Sequence, residues 1–227
     1  MTKKLIIIGG EGNGGVVAAC IEDINRIHKK SVYEIIGFLN DYHANKICNY
    51  PVVGKTETAK EWAKEGYLLS FAIHPIGHGS LRVKLFDHLE IPDESLATIV
   101  HPTAFIASNA TLEPGVFVMA NCYIGPQTQL AKSVFVMANC VVGHNDYIGP
   151  FCHLSAGSVV SSYITIGKAS DICLSASILE KVSIGDYCVI GAKSLLTKST
   201  GNSEMYIGIP AKLHRRIEEK EYTLQEK

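Results

Sequence analysis

His144, in the run Val141-Val142-Gly143-His144-Asn145-Asp146-Tyr147-Ile148-Gly149, is the residue of this chain best suited to move a proton. Imidazole titrates near neutral pH, so a histidine can take a proton from an attacking amine or hydroxyl, a contribution worth roughly 10²- to 10⁴-fold in rate. The competing reading is a corner histidine that caps a turn. Near the N-terminus, Gly10, Gly12 and Gly15 follow the apolar residues 5–8 in the order Gly-x-Gly-x-x-Gly, with Asn13 and Gly14 inside the loop. Bare backbone at the mouth of a helix cradles a pyrophosphate, and the same spacing also serves a purely structural tight turn. Asn40 and Asp41 end the next apolar run. An acidic residue there meets a ribose or base, or an Asx turn closes the strand. Arg82 opens a helix-like stretch, either within reach of a phosphate or as a solvated surface cation.

The elements that must hold these residues follow two different rhythms. From Val100 to Leu196 every sixth residue is Val, Ile or Leu, seventeen times in succession. That period fits neither a helix nor an ordinary strand, but it fits a parallel β-helix, in which each flat side of a coil sends one large side chain inward. The heptapeptide VFVMANC occurs at residues 116–122 and again at 134–140, eighteen residues later, so three hexads make one coil and the repeat spans roughly five coils. The register assigns addresses. Cys122, Cys140, Cys152 and Cys188 fall in small inward slots, and His144 falls at an outward corner. Asp146 falls inward, where a carboxylate is costly to bury without partners. Glycines such as Gly125 and Gly143 follow the aliphatic residue, where tight corners favour them. Phe117, Met119, Phe135 and Met137 are outward and partly apolar, which predicts capping and association, with the N-terminal part covering one end of the prism.

The first ninety or so residues read instead as a small parallel sheet with flanking helices: strands at 5–8, 34–39, 51–54 and 67–73, helices at 14–29, 56–64 and 80–89. Ile91-Pro92-Asp93 marks the hinge. The expected domains are residues 1–95, 96–198 and a tail of 199–227 that holds a helix-like segment at 215–220.

The hexapeptide register, the opening IIIGGEGNGG, the GFLND after the second strand, His144 within VVGHNDYIG and the late YIGIPAK together resemble the NeuD/PglD family of bacterial sugar acetyltransferases. The resemblance implies a small Rossmann-like α/β domain that binds a nucleotide sugar, followed by a left-handed parallel β-helix that binds acetyl-CoA as co-substrate. It also implies a homotrimer with active sites at subunit interfaces. Left-handedness comes from the resemblance, since crossover rules favour the other hand. In the family the equivalent of His144 is the general base and a Glu or Asp after it orients the ring, whereas here the next residue is Asn145. Three arrangements are open: Asp146 turns back to His144, Asn145 acts as a neutral partner, or the base is weakened. His153 matches a family histidine at the thioester, with an ordinary outward side chain as the other reading. Ser162 and Ala192 lie in coils near the expected acetyl-CoA site, and Pro210 and Lys212 match the segment beside the CoA adenine and phosphates. Asn13 stands where the family often has a sugar-contacting histidine. Gly10, Gly12, Gly14, Asn40, Asp41 and Arg82 complete the expected nucleotide-sugar site.

Other classes are disfavoured. A net charge of -1 provides no cationic field for nucleic acid or an anionic membrane. Residues 5–8 are too short an apolar run for a signal peptide, which predicts a cytoplasmic protein and free thiols. His74 and His78 have helical spacing, but Pro75 and Gly77 between them argue against a metal site. His101 reads as packing at the domain entrance, and His28, His43, His88 and His214 as surface. The activity expected is N-acetylation of a nucleotide-linked 4-amino-4,6-dideoxy sugar for surface glycan biosynthesis. The alternatives are O-acetylation, as of sialic acid, and a non-catalytic nucleotide-sugar-binding scaffold.

Overall fold

The computed structural model describes residues 2–42 and 45–218. Its first part is a sheet of β1 (Lys3–Ile8), β2 (Tyr33–Leu39), β3 (Lys46–Ile47), β4 (Tyr50–Gly54) and β5 (Leu68–Phe71) in the order β3-β4-β2-β1-β5. All pairs are parallel except the edge hairpin of β3 with β4, which the residue pattern did not announce. Strand β1 is apolar on both faces because both are covered. Leu5 and Ile7 pack with residues of α1 (Asn13–His28), while Ile6 and Ile8 pack with residues of α2 (Ala59–Lys64) and α3 (Gly79–Leu89). A 3₁₀ turn at Thr56–Thr58 begins the stretch expected to be one helix. Among the described residues no helix is long and apolar enough to cross a membrane.

The second part is a parallel β-helix of seventeen two-residue strands, from Ile99–Val100 to Leu195–Leu196. Each strand pairs in parallel with the one eighteen residues on, as Tyr123 with Val141 and Val141 with Val159. Three faces result, beginning in chain order at Ile99–Val100, Phe105–Ile106 and Thr111–Leu112. The second residue of each strand points inward, so Val118, Ile124, Leu130, Val136, Val142, Ile148 and Leu154 form one buried column system with Cys122, Cys140 and Cys152. Most corners turn through left-handed residues that are not glycine, as at 121, 127, 133, 139, 145 and 151, where φ lies between 54° and 61°, while Gly115 and Gly157 take two of the equivalent places. The glycines have a different use from the one expected. A Cβ on Gly125 would stand 2.1 Å from the Gly143 carbonyl oxygen, and one on Gly143 would stand 1.8 Å from that of Ser161, so glycine is needed where one coil's backbone meets the next.

The N-terminal part docks on the flank of the prism, not over its end. Phe117 and Phe135, on the outward side of the first face, are buried among α1 residues and the adjoining strands, and Phe151 and Ala169 are buried against α3. Burying one such phenylalanine contributes on the order of 1.5–3 kcal/mol, which is why the docked surface is this apolar column. At the open end the inward residues Val100, Ile106 and Leu112 stay only partly buried. The other end is extended by a hairpin: Glu204–Gly208 adds to the first face, turns through a cis peptide at Ile209-Pro210, and pairs with Ala211–Arg216. The expected helix at 215–220 is therefore strand at Arg215 and Arg216, because the hairpin satisfies their backbone, and residues 219–220 lie outside the described residues.

The joint is held by charge as well as by apolar packing. Arg82 is fully buried and donates to Asp171 Oδ1 at 2.7 Å, to the Phe151 carbonyl at 2.6 Å and to the Pro75 carbonyl at 3.0 Å. Asp171 Oδ2 accepts the Gly77 backbone N–H at 2.7 Å. A pair removed from water this completely is strongly destabilised when one partner is lost. Arg82→Ala is therefore expected to lower the unfolding free energy by roughly 3–5 kcal/mol, with much of it recovered in the double variant Arg82→Met/Asp171→Leu, as read by urea denaturation.

Candidate active site

His144 stands at the corner between the second and third faces, two residues after the strand Val141–Val142, and is exposed. Its Nδ1 is 2.8 Å from Asn145 Oδ1. An amide oxygen only accepts, so in the neutral ring Nδ1 carries the proton and Nε2 the lone pair. The Nδ2 of Asn145 donates in turn to Oε1 of Gln127. Tyr163, one coil above, presents its ring edge-on to the imidazole with centroids 5.1 Å apart, and Ser162 Oγ accepts the His144 backbone N–H at 3.3 Å. Of the three arrangements left open by the residues, the geometry adopts the neutral partner.

Asp146 points inward as the register requires, and its carboxylate does not hydrogen-bond to His144. Its Oδ1 accepts the Ile164 backbone N–H at 2.8 Å, and Oδ2 is buried with no hydrogen-bond partner. Burial pushes its carboxyl up from an ordinary 3.8 to about 6, against the pull of the Ile164 N–H and the nearby His144.

The remaining expected contacts are dispersed around the prism. Ser162 is directly above His144 at the same corner, but Ala192 sits at the corner between the first and second faces, and Pro210 and Lys212 are exposed on the terminal hairpin with Arg215 and Arg216. His153 is on the first face and buried under the N-terminal part. Its ring lies 5.7 Å from both Phe135 and His74, and neither of its nitrogens has a hydrogen-bond partner. Burial, with the Arg82 charge nearby, lowers its pKa to about 4. The structure thus separates His153 from the corner of His144, where a contact with the thioester had been expected.

In the first part the glycine loop runs from the end of β1 into α1, which has no acidic residue in its first turn and no side-chain cap. The Gly15 and Val16 N–H groups are taken by the Gly10 and Gly12 carbonyls, so what this end of α1 presents to an anion is the helix dipole and the N–H groups ahead of them. The glycines divide in use. A Cβ on Gly14 would meet the Phe38 ring at 3.0 Å and one on Gly15 the Cys48 sulfur at 2.9 Å, whereas one on Gly12 would meet nothing within 4 Å. Asn40 Nδ2 donates to the Gly9 carbonyl, and Asn40 Oδ1 accepts the Tyr42 N–H at 2.8 Å, so the Asx turn belongs to Asn40. Both Asp41 oxygens hold Thr56, through its N–H at 3.0 Å and its hydroxyl at 2.7 Å. Arg82 requires correction: it is neither a phosphate ligand nor a surface cation, because Asp171 and two carbonyls enclose its guanidinium.

All seven cysteines are free thiols, and among the described residues no group of three or more His, Cys, Asp or Glu is placed to hold a metal ion. Burial raises the Cys152 thiol to about 12, which makes it a poor nucleophile. His74 is buried against Phe71 and Phe135, not paired with His78. His101 is buried and links Asp23 of α1, at 3.0 Å, to Thr103 in the first coil. His28, His88 and His214 are exposed, while His43 lies outside the described residues.

Three participants went unnoticed in the residue pattern. Gln127 had a signal, since it is eighteen residues before Asn145. Asp171 had a weaker one, as an acid in the outward column Phe117, Phe135, His153, Asp171, Val189. Thr56 had none.

The Asp146 carboxyl, with its folded pKa above the unfolded one, favours the folded state when neutral. That stability is complete below about pH 4 and is lost as pH rises through about 6. Asp146→Asn keeps an acceptor for Ile164 and loses this dependence. Between about pH 4 and pH 8 the melting temperature of the parent is expected to fall relative to that of the variant, and a constant difference would contradict the burial argument.

Residues 4–89 match the PglD N-terminal domain family. Over nearly its whole length the chain is also similar to solved structures. One is a variant of perosamine N-acetyltransferase from Caulobacter crescentus in complex with CoA and GDP-perosamine, 23% identical over 95% of this chain and 98% of that one, with a TM-score of 0.79. Another is the acetyltransferase domain of PglB from Neisseria gonorrhoeae in complex with acetyl coenzyme A, 25% identical over 94% and 100%, with a TM-score of 0.81. A third is WeeI from Acinetobacter baumannii, 18% identical over 93% and 100%, with a TM-score of 0.69. The chain thus carries a PglD N-terminal domain over residues 4–89, packed on the flank of a left-handed hexapeptide β-helix, and in fold it is similar to sugar acetyltransferases over nearly its whole length.

Proposed function

We propose that the chain transfers acetyl from acetyl-CoA to the amino group of a nucleotide-linked 4-amino-4,6-dideoxy sugar, a cytoplasmic step of surface glycan assembly. The observation that carries this reading is the state of His144: an exposed imidazole whose Nδ1 is engaged by Asn145 and whose Nε2 has no hydrogen-bond partner among the described residues. In the reaction the sugar amine attacks the thioester carbonyl, the new C–N bond forms, and His144 Nε2 takes the proton the amine sheds. Collapse of the tetrahedral adduct then breaks the C–S bond and releases CoA as the thiol once the sulfur is protonated. Direct transfer is favoured over a cysteine-bound intermediate because Cys140 and Cys152, the cysteines flanking His144 in sequence, are fully buried.

A homotrimer with its sites between subunits fits the same corner. The second face carries an outward column of Phe105, Tyr123, Val141 and Val159, in register and 56%, 41%, 37% and 40% exposed. Four large apolar side chains in a row on a flat face call for cover, and His144 stands at the edge of that face. The bound ligands of the PglB domain and the perosamine enzyme supply the ligand classes to test. In the first part, Gly12 is the point where bare backbone faces open space at the α1 N-terminus, which suits a diphosphate. Ser162, Ala192, Pro210 and Lys212 are proposed for the acetyl-CoA side, and Gly10, Gly12, Asn13, Gly14, Asn40 and Asp41 for the nucleotide sugar; His153, buried under the N-terminal part, is left out.

Release of free thiol from acetyl-CoA with UDP-, GDP- and dTDP-linked amino sugars tests the activity. His144→Ala is expected to lower kcat by roughly 10²- to 10⁴-fold with folding intact, and undiminished turnover would overturn the assignment. Gly12→Leu is expected to leave thermal unfolding unchanged and to weaken nucleotide-sugar binding about tenfold in calorimetry.

A further inference from the structure

An asparagine beside a catalytic histidine has two nearly isosteric ends, and only one of them leaves the ring able to act as a base. With Oδ1 toward Nδ1, the ring holds its proton on Nδ1 and Nε2 is free to accept. With the amide reversed, Nδ2 donates to Nδ1, the proton sits on Nε2, and the ring cannot take a proton from an amine. A carboxylate in the same place would need no such choice, since both of its oxygens accept. The chain has Asn145 there, so something must select the end.

The selecting contact is made by the corner residue one coil earlier. Asn145 Nδ2 donates to Oε1 of Gln127. Gln127 is the same corner residue one coil earlier, with φ of 58° against 59° for Asn145. The two corners are fixed to each other through the backbone, because the Asn145 N–H donates to the Pro126 carbonyl at 3.0 Å. The Gln127 N–H in turn donates to Asn109 Oδ1 at 3.2 Å, in the coil before. On the far side of the histidine, the Tyr163 N–H donates to the His144 carbonyl at 3.1 Å. The backbones of the two corners are thereby held one above the other, which keeps the exposed Gln127 and Asn145 side chains within reach of each other.

We propose that Gln127 is a positioning residue that sets the tautomer of His144 through the amide of Asn145. The proposal rests on the reading of His144 as the general base. Its content is a parity rule: an acceptor at position 127 turns Asn145 Nδ2 toward itself and Oδ1 toward the ring, whereas a donor at 127 reverses the amide and moves the imidazole proton to Nε2. With its oxygen toward Asn145 Nδ2, Gln127 holds the productive state, and a glutamate in its place, which has no donor end, would hold it without a choice.

The rule separates three substitutions at one exposed site. Gln127→Glu can only accept, and is expected to keep the Nδ1–H tautomer and a kcat within about twofold of the parent. Gln127→Ala removes the selection, and is expected to mix the tautomers and lower kcat by several-fold, on the order of the 10-fold low end for positioning contacts. Gln127→Lys can only donate, and is expected to show the Nε2–H tautomer and to approach the roughly 10²- to 10⁴-fold loss of removing the base. The tautomer is read directly from the ¹⁵N chemical shifts of the His144 ring, and kcat from thiol release under saturating acetyl-CoA. Adding Asn145→Asp to Gln127→Ala is expected to restore most of the lost kcat, because a carboxylate has no wrong end.

A purely structural role for Gln127 predicts equal effects for Ala and Lys and no change of tautomer, and that result overturns the proposal. The ring shifts decide the parity rule even if no amino sugar is turned over. If the tautomer follows the rule while kcat ignores it, the relay stands and His144 is not the base.

Discussion

A strand of two residues has no stability of its own. Each coil of this protein consists of three such strands, and each strand makes its hydrogen bonds to the strands eighteen residues before and after it. The stacking register is therefore the constraint from which the rest follows, since losing it in one coil removes the partners of the coils on either side. It requires small inward residues between the aliphatic columns, glycine where carbonyls of the next coil come close, and a left-handed corner at each turn. It also fixes the chemistry. His144, Asn145, Gln127 and Tyr163 meet only because corners recur at the same place on each coil.

Much of this was legible in the residues. The six-residue period located the coils, the inward cysteines and the inward address of Asp146, because a parallel β-helix repeats one local geometry and the sequence must repeat with it. The partners of side chains leaving that geometry were less legible. The role of Arg82 is not legible because nothing in its own segment says that α3 docks on the flank of the prism against Asp171, 89 residues away in the chain. Asp146 could be placed inward, but its distance from the imidazole of His144 depends on a rotamer, and the Ile164 N–H won the competition. The register does show Phe117 and Phe135 to be outward and apolar. Their cover is the chain's own N-terminal part, which leaves the column of Phe105 and Tyr123 as the bare one.

The joint between the two parts combines features that oppose one another in cost. His74 and His153 are buried with ring nitrogens unpartnered, and Arg82 and Asp171 are buried as ions. Burial lowers the pKa of both histidines, so they sit neutral beside the guanidinium and add no repulsion to it near neutral pH. The apolar columns supply affinity there, and the buried ion pair supplies direction, because its geometry accepts one placement of α3 against the coil and disfavours others.

The two copies of VFVMANC bear on how such a protein changes over time. Both copies put Phe on the docked face and Cys in the core, one directly above the other. Within the prism every strand pairs only with the coils on either side, so outside the docked face a change of length in whole coils keeps each inward side chain inward, whereas gain or loss of a single residue breaks the register of all that follow. The heritable unit of this domain is thus eighteen residues long. Within that unit the corner side chains point outward, so a pairing such as asparagine one coil after glutamine changes what the corner presents and leaves the inward columns alone.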